Sequence, residues 1–578
     1  MTIKPDYISF GKLLHERLFR VPNYQRHYSW GKKQRDDLFG DILNITKYQD
    51  RTHFMATMVC LNKNETKYVG SDEYACLDIV DGQQRITSLI ILLKMISIHL
   101  NQGDDREKEE GEKLNELLVK KDKRLILLQT NHDNSKIFSN YLIKGEFPKK
   151  NDIEFLADFN FYSAIKETDK FIRDWVEKHE KSLIDLLSII KNRLYFILQI
   201  LEDPSSVYSV FEVLNSRGLE VDWLDKCKSM LMGLLAENAT EKSSKAHIDE
   251  LHKIWSEIYR KIGIKSVSGF EIITFAATLS DKNVTSQALN AQESLDYFKE
   301  VCSNQTRNEN IRKIRDITRW ILEVTSILVE LNKNIKLKAV TRITHARLLA
   351  ISICLRDDLD EPHRDKCLEQ WERMTFKIFG ILEKDARYSR GEYIRCAQKI
   401  YHKKYDKEEI LDRLKDISKA YDIDEAIEVL KCTDCYNGWE EELRYFFYKL
   451  EEDKAEHNCN KINPIIWNSI WAENASNSIE HIVPKGENTC SLRQWRGKIR
   501  SNIFKKHVHR IGNLVLLPPG ANSQAGQKSF VEKKEIYQQN YMYIMQDILK
   551  QKDWNKDLIE AREEDLLKWA RTAWADVK

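Results

Sequence analysis

The sequence predicts an α+β protein that is mainly helical, and three observations carry that expectation. Glycine and proline are scarce, 20 and 9 in 578 residues, against ordinary usage of roughly 7% and 5%, so chain-breakers are few and connections short. Apolar residues recur at helical spacing through most of the chain. Short apolar runs closed by turn residues, the signature of strands, cluster before residue 235 and return near the end.

At this length one hydrophobic core is not enough, and about 100–200 residues per domain gives three or four units. Shifts in pattern divide the chain into a mixed segment 1–235, a helical middle 236–425 and a C-terminal segment 426–578. Apolar residues at 42% exclude wholesale disorder. Lys+Arg 92 against Asp+Glu 90 leaves +2, so a nucleic-acid surface must be a local patch. The opening residues are charged and lack an apolar signal core, and no run approaches 18 uncharged apolar residues. Eleven scattered cysteines suit reduced thiols. A soluble intracellular protein with no membrane partner is expected.

In chain order, residues 54–61 and 76–80 read as buried strands. Asp81-Gly82 breaks the second, and Ile86, Leu89, Ile90, Leu93, Ile96 and Leu100 recur at helical spacing. The charged stretch 101–124 reads as a solvated loop or helix face. In the middle segment, Ile317, Trp320, Ile321, Val324, Leu328 and Leu331 form one amphipathic stripe, and 348–355 another buried helix. No motif with chemistry lies there, so a role in spacing, partner contact or substrate selection is expected.

The last segment changes character. It holds seven of the thirteen tryptophans, and between 481 and 534 eleven Lys+Arg face two Glu, a local balance of +9. Here stands Glu480-His481-Ile-Val-Pro484, then Gly512-Asn513-Leu-Val-Leu-Leu517, then Asn522, then an aromatic and basic helix over 528–537. Two short strands and a helix are the parts of a ββα metal finger. Phosphodiester hydrolysis needs a base for water and a hard cation with few oxygen-rich ligands. Glu480 and the Asn522 amide oxygen can supply the ligands for Mg²⁺ or Mn²⁺, and His481 can take the proton from water. Asn513 can pin the loop that carries the histidine through side-chain-to-backbone bonds. Between His481 and Asn513, Arg493, Arg496, Lys498, Arg500, Lys505, Lys506 and Arg510 form either a phosphate grip or a merely solvated insertion. Cys432-x-x-Cys435 with His457 and Cys459 has the wrong spacing for common zinc fingers, and ordinary buried thiols remain the simpler reading. The tryptophans are either core residues or stacking surfaces for a displaced base.

The second informative string is Val80-Asp81-Gly82-Gln83-Gln84-Arg85, at a strand-to-helix turn. A helix N-terminus offers unpaired N–H groups to an anion, and Arg85 adds a guanidinium. Asp81 can hold Mg²⁺ or activate water. A capped helix with a surface arginine is the alternative. The flanking strings Gln25-Arg26 and Asn215-Ser-Arg217 complete the set, and no P-loop pattern is present.

The combination in the tail resembles the His-Asn-His (HNH) nuclease class, and in its particular form the C-terminal domain of the GmrSD family of type IV modification-dependent restriction endonucleases. Asn522 stands where many of the broader class carry histidine; either side chain can ligate a divalent ion. The three front strings resemble the N-terminal domain of the same family. That resemblance implies a ParB/sulfiredoxin-like fold that binds and hydrolyses a nucleoside triphosphate (ATP, GTP, CTP or UTP), with Gln25, Arg26, Asp81, Gln83, Gln84, Arg85, Asn215 and Arg217 at matching positions. Both halves in one chain look like the single-polypeptide members, including the enzyme found beside BREX phage-defence systems. The expected activity is nucleotide-regulated, metal-dependent cleavage of double-stranded phage DNA bearing modified cytosines, by a homodimer in the bacterial cytoplasm. A DNA-binding regulator with an inactive finger and a toxin-like nuclease indifferent to modification are the alternatives.

Overall fold

The computed structural model describes residues 5–22, 25, 27–47, 51–120, 125–130, 136–153, 155–178, 182–202, 222–239, 241–263, 267–485 and 505–576. It is a mainly helical α+β structure that divides into two compact units, Met1–Thr274 with Asn290–Thr325, and Phe275–Leu289 with Ser326–Lys578. The helices of the 236–425 segment are shared between them.

The first unit is built on a six-stranded mixed sheet. Its strands are β1 (Asp6–Ser9), β2 (Arg17–Arg20), β3 (His53–Val69), β4 (Asp72–Asp81), β7 (Leu128–Gln129) and β8 (Leu194–Leu201), in the order β1-β8-β3-β4-β2-β7. A small hairpin, β5 (Val119–Lys120) with β6 (Leu125–Ile126), stands apart. The strand expected at 54–61 runs on to Val69. Its polar second half is carried by antiparallel pairing with β4, from Glu65 opposite Cys76 to Val69 opposite Asp72, so backbone bonds replace burial as the reason for the strand.

Helix Gln83–Leu100 leaves the end of β4 and is buried along nearly its whole length. It packs in one apolar core with Met58, Ile79, Phe161, Ile165, Leu186 and Ile190. The charged stretch resolves into helix Asp105–Leu118, opened by a capping box between Asp104 and Glu107 and buried through Leu114 and Leu118. The predicted stripe 317–331 lies on helix Arg307–Lys333, with Ile317, Ile321, Val324 and Leu328 buried.

In the second unit a two-stranded antiparallel ribbon, β9 (Ile479–His481) with β10 (Leu514–Leu516), is the only sheet among the described residues. Helix Pro519–Ala525, not foreseen from the pattern, follows it and carries Asn522. The predicted 528–537 helix starts at Phe530 because Ser529 caps it, accepting from the Glu532 amide. Helix Lys556–Ala573 backs the ribbon. Gly512 lies so close to it that a Cβ there would sit 2.1 Å from the Ile559 carbonyl oxygen, and Arg562 Nη1 donates to the Gly512 and Leu514 carbonyls at 2.9 and 2.8 Å. Trp439, Trp467, Trp471, Trp554 and Trp574 are buried core residues. Among the described residues no helix is long and apolar enough to cross a membrane.

Candidate active site

The ribbon register places Leu514 opposite His481 and Val515 opposite Glu480, so the two polar neighbours point to opposite faces of a strand. Asn513 sits fully buried at the turn into β10. Its side chain accepts from the Val483 amide at 2.9 Å and donates to the Val483 and Val508 carbonyls at 3.1 and 2.9 Å. It therefore ties down the segment just after His481 by side-chain-to-backbone bonds, a positioning role rather than contact with a reacting atom.

Glu480 is nearly out of solvent. Its Oε1 accepts from Lys533 Nζ at 2.6 Å and from Tyr537 OH at 3.0 Å, and the same Lys533 ammonium donates to the His481 carbonyl at 2.6 Å. Burial pushes the Glu480 carboxyl above its ordinary range, against the pull of Lys533. Lys533 and Tyr537 stand four residues apart, one turn of the same helix face, and that spacing was the signal available for finding them.

On the other face, His481 Nε2 lies 3.0 Å from His509 Nδ1. Tyr436 meets the His481 ring edge-on at 4.5 Å and stacks on the His509 ring at 5.2 Å, while Lys485 lies 4.4 Å over Tyr436. Burial, then the neighbouring His509, Lys485 and Lys533, pushes the His481 imidazole down to about 3, so it is neutral throughout the physiological range.

Glu480, His481, Asn522, Asn477, Tyr436 and Lys485 line one open cleft of about 650 Å³. Asn522 donates its Nδ2 to the Asn477 and Ile479 carbonyls at 2.8 and 3.2 Å, which leaves its amide oxygen as the end available to a cation. Glu480 and Asn522 are oxygen donors of the type that a hard divalent ion keeping most of its waters takes, although Oε1 of Glu480 is already held by Lys533 and Tyr537. No group of three or more His, Cys, Asp or Glu able to hold a metal exists among the described residues, and this donor set does not fit zinc. Cys435 is buried with its thiol on the Thr433 carbonyl, whereas Cys459 is exposed; the Cys432 side chain lies outside the described residues.

Of the expected phosphate-gripping cations, Lys505 and Lys506 are exposed. Arg510 is a correction: its guanidinium makes a two-pronged pair with the buried carboxylate of Glu563, Nε to Oε1 2.9 Å, and so braces the hairpin against helix Lys556–Ala573. Arg493, Arg496, Lys498 and Arg500 lie outside the described residues.

In the first unit, Asp81 ends β4 and Gly82 turns the chain at φ +95°, a left-handed conformation that suits glycine. Both ends of the Gln84 amide are bonded to backbone, accepting from Ser29 N and donating to the His27 carbonyl, each at 2.8 Å. Gln25 Nε2 donates to the Val80 carbonyl at 2.6 Å. These two amides hold Gln25, His27 and Ser29 against the turn, a structural duty not anticipated for expected nucleotide contacts. Gln83 is buried, and Arg85 lies 5.8 Å over the Trp30 ring, its guanidinium lowered by burial against the opposing pull of Asp81 and Asp41. Lys228, unforeseen, is fully buried and donates to the Gln25 carbonyl at 3.3 Å; burial lowers it to about 8. Arg26, Asn215 and Arg217 lie outside the described residues.

Comparison with protein families gives two matches. Residues 10–232 match the GmrSD restriction endonuclease N-terminal domain, and residues 421–569 match the GmrSD restriction endonucleases C-terminal domain. The chain belongs to the GmrSD restriction endonuclease family. The N-terminal GmrSD match contains the Asp81–Arg85 turn, and the C-terminal one contains the whole cleft around His481. Comparison with curated proteins finds no match for the chain. A GmrSD restriction endonuclease is a nuclease that binds DNA.

Proposed function

We propose that the protein is an HNH-type, divalent-metal-dependent DNA endonuclease, regulated by a nucleoside triphosphate, that cuts phage DNA bearing modified cytosines. The observation that carries this reading is that His481, Glu480 and Asn522 all line one cleft. His481, neutral and held by its neighbours, takes the proton from an attacking water. Glu480 and Asn522 would hold Mg²⁺ or Mn²⁺, which when bound neutralises charge developing on the scissile phosphate. Asn513 keeps the 482–485 segment in place, Lys485 supplies positive charge at the cleft, and exposed Lys505 and Lys506 add charge for the DNA backbone.

In the first unit the reading is a ParB/sulfiredoxin-like nucleotide site at the Asp81–Arg85 turn, with helix N–H groups and Arg85 toward phosphate. A nucleotide regulates cutting only if it binds two states of the protein unequally. A homodimer follows from the chemistry, because one nuclease site cuts one strand. The setting is phage defence in the bacterial cytoplasm, as for the family members encoded beside BREX systems.

The experiment is a cleavage panel with plain, methylated, hydroxymethylated and glucosylated-cytosine DNA, run with Mg²⁺ or Mn²⁺ and with each nucleotide. The reading expects cutting of modified DNA that a chelator and His481→Ala both abolish, and that Arg85→Ala uncouples from nucleotide. Equal cutting of plain and modified DNA would instead mark a modification-indifferent nuclease, and DNA binding without cutting a regulator.

A further inference from the structure

We infer that His509 is a positioning residue for His481: by accepting the Nε2 proton of His481 on its own Nδ1, it fixes the tautomer that turns the His481 Nδ1 lone pair toward water. This rests on the reading of His481 as the base. Two ring nitrogens 3.0 Å apart share one proton, so one imidazole donates and the other accepts. If His509 were the donor, His481 would carry its proton on Nδ1 and have no lone pair left for water. Only the reverse arrangement leaves a base.

The surroundings hold the His509 ring in place. Burial lowers its proton affinity, and the charge of the Asp434 carboxylate opposes that. Asp434 is itself fixed, accepting from the Tyr436 and Asn437 amides at 2.9 and 3.0 Å. The His509 main chain is tied to the same loop, since the Cys435 amide donates to its carbonyl at 3.0 Å. Tyr436 then sandwiches the geometry, parallel to His509 within 11° and edge-on to His481. An imidazole held by backbone, stack and charge on three sides, with its Nδ1 on the base, is built to orient that base.

Three variants at one position separate orientation from packing, assayed by nicking of whichever DNA in the panel the wild-type enzyme cuts. His509→Phe keeps the stack and removes the acceptor; His509→Asn sets a carbonyl oxygen near the place of Nδ1; His509→Gln sets it near the place of Nε2. We expect kcat to fall roughly 10–100-fold in His509→Phe and His509→Gln, with KM for DNA within about twofold of wild type, and His509→Asn to recover most of the rate. Wild-type kcat in His509→Phe, or an asparagine variant no better than the glutamine one, overturns the proposal. His481→Ala runs alongside: if it still cuts, the assignment of the base has failed, whatever the His509 variants do.

Discussion

Lys533 Nζ lies 2.6 Å from Glu480 Oε1 with almost none of either side chain in solvent, so a buried ion pair joins strand β9 to the helix Phe530–Gln539. Removing one partner strands the other charge, a loss of about 3–5 kcal/mol. Lys533→Met should therefore lower the denaturation midpoint strongly. Pairing it with Glu480→Gln should restore much of the loss, because a neutral amide keeps the Tyr537 bond without a buried charge. A double variant no more stable than Lys533→Met would refute the pairing as the source.

Asn513→Ala removes two donated bonds and one accepted bond from a site that water does not reach. At about 1 kcal/mol net for each bond, and more for a buried group left unpaired, a loss near 3 kcal/mol is expected. Hydrogen exchange at the Val483 amide should accelerate, and cutting should disappear with it. Asn513→Asp keeps the acceptor but cannot donate, so it should remain inactive.

Gly512 has no room for a methyl group against the Ile559 carbonyl. Gly512→Ala should push helix Lys556–Ala573 off the ribbon at a cost of about 1–3 kcal/mol or more. Limited proteolysis should then release the C-terminal helix faster than in the wild type. An unchanged digestion pattern would mean that the backing helix is not held where the structure puts it.

His345 is buried against the edges of Tyr393 and Phe379. Burial, with Arg390 nearby, lowers its imidazole to about 4. The folded state then binds this proton more weakly than the unfolded chain does near 6.5. Stability from the neutral imidazole is present above pH 6.5 and is lost as pH falls through 6.5 toward 4, about 3 kcal/mol in all. His345→Leu should flatten the melting-temperature profile over that window, and an unaltered acid limb would count against it.

The strand–glycine–helix unit at Asp81–Arg85 was legible because Gly82 and a helical apolar period adjoin in the sequence. The residue types of Glu480, His481, Asn513 and Asn522 likewise stand in short strings, and the structure brings Glu480, His481 and Asn522 to the lining of one cleft. Arg510 was misread because a basic residue in a basic stretch looks like a phosphate ligand until Glu563, on the backing helix, pairs with it. Gln84 and Gln25 looked like ligands for the same reason: their partners are backbone carbonyls and amides, which no pattern of side chains reveals.

Periodicity, composition and local motif order determined by themselves that this chain is mainly helical with strands toward both ends, and that residue types suited to phosphate chemistry stand together in two regions. Those properties depend on neighbours within a few residues. Tertiary structure alone decided that Lys533 and Tyr537 occupy one oxygen of Glu480, that His509 and Tyr436 hold His481, and that buried Lys228 donates to the Gln25 carbonyl. Each of those contacts needs a distant segment folded back into a space that water has left, where an unpaired charge or donor is too costly to leave alone.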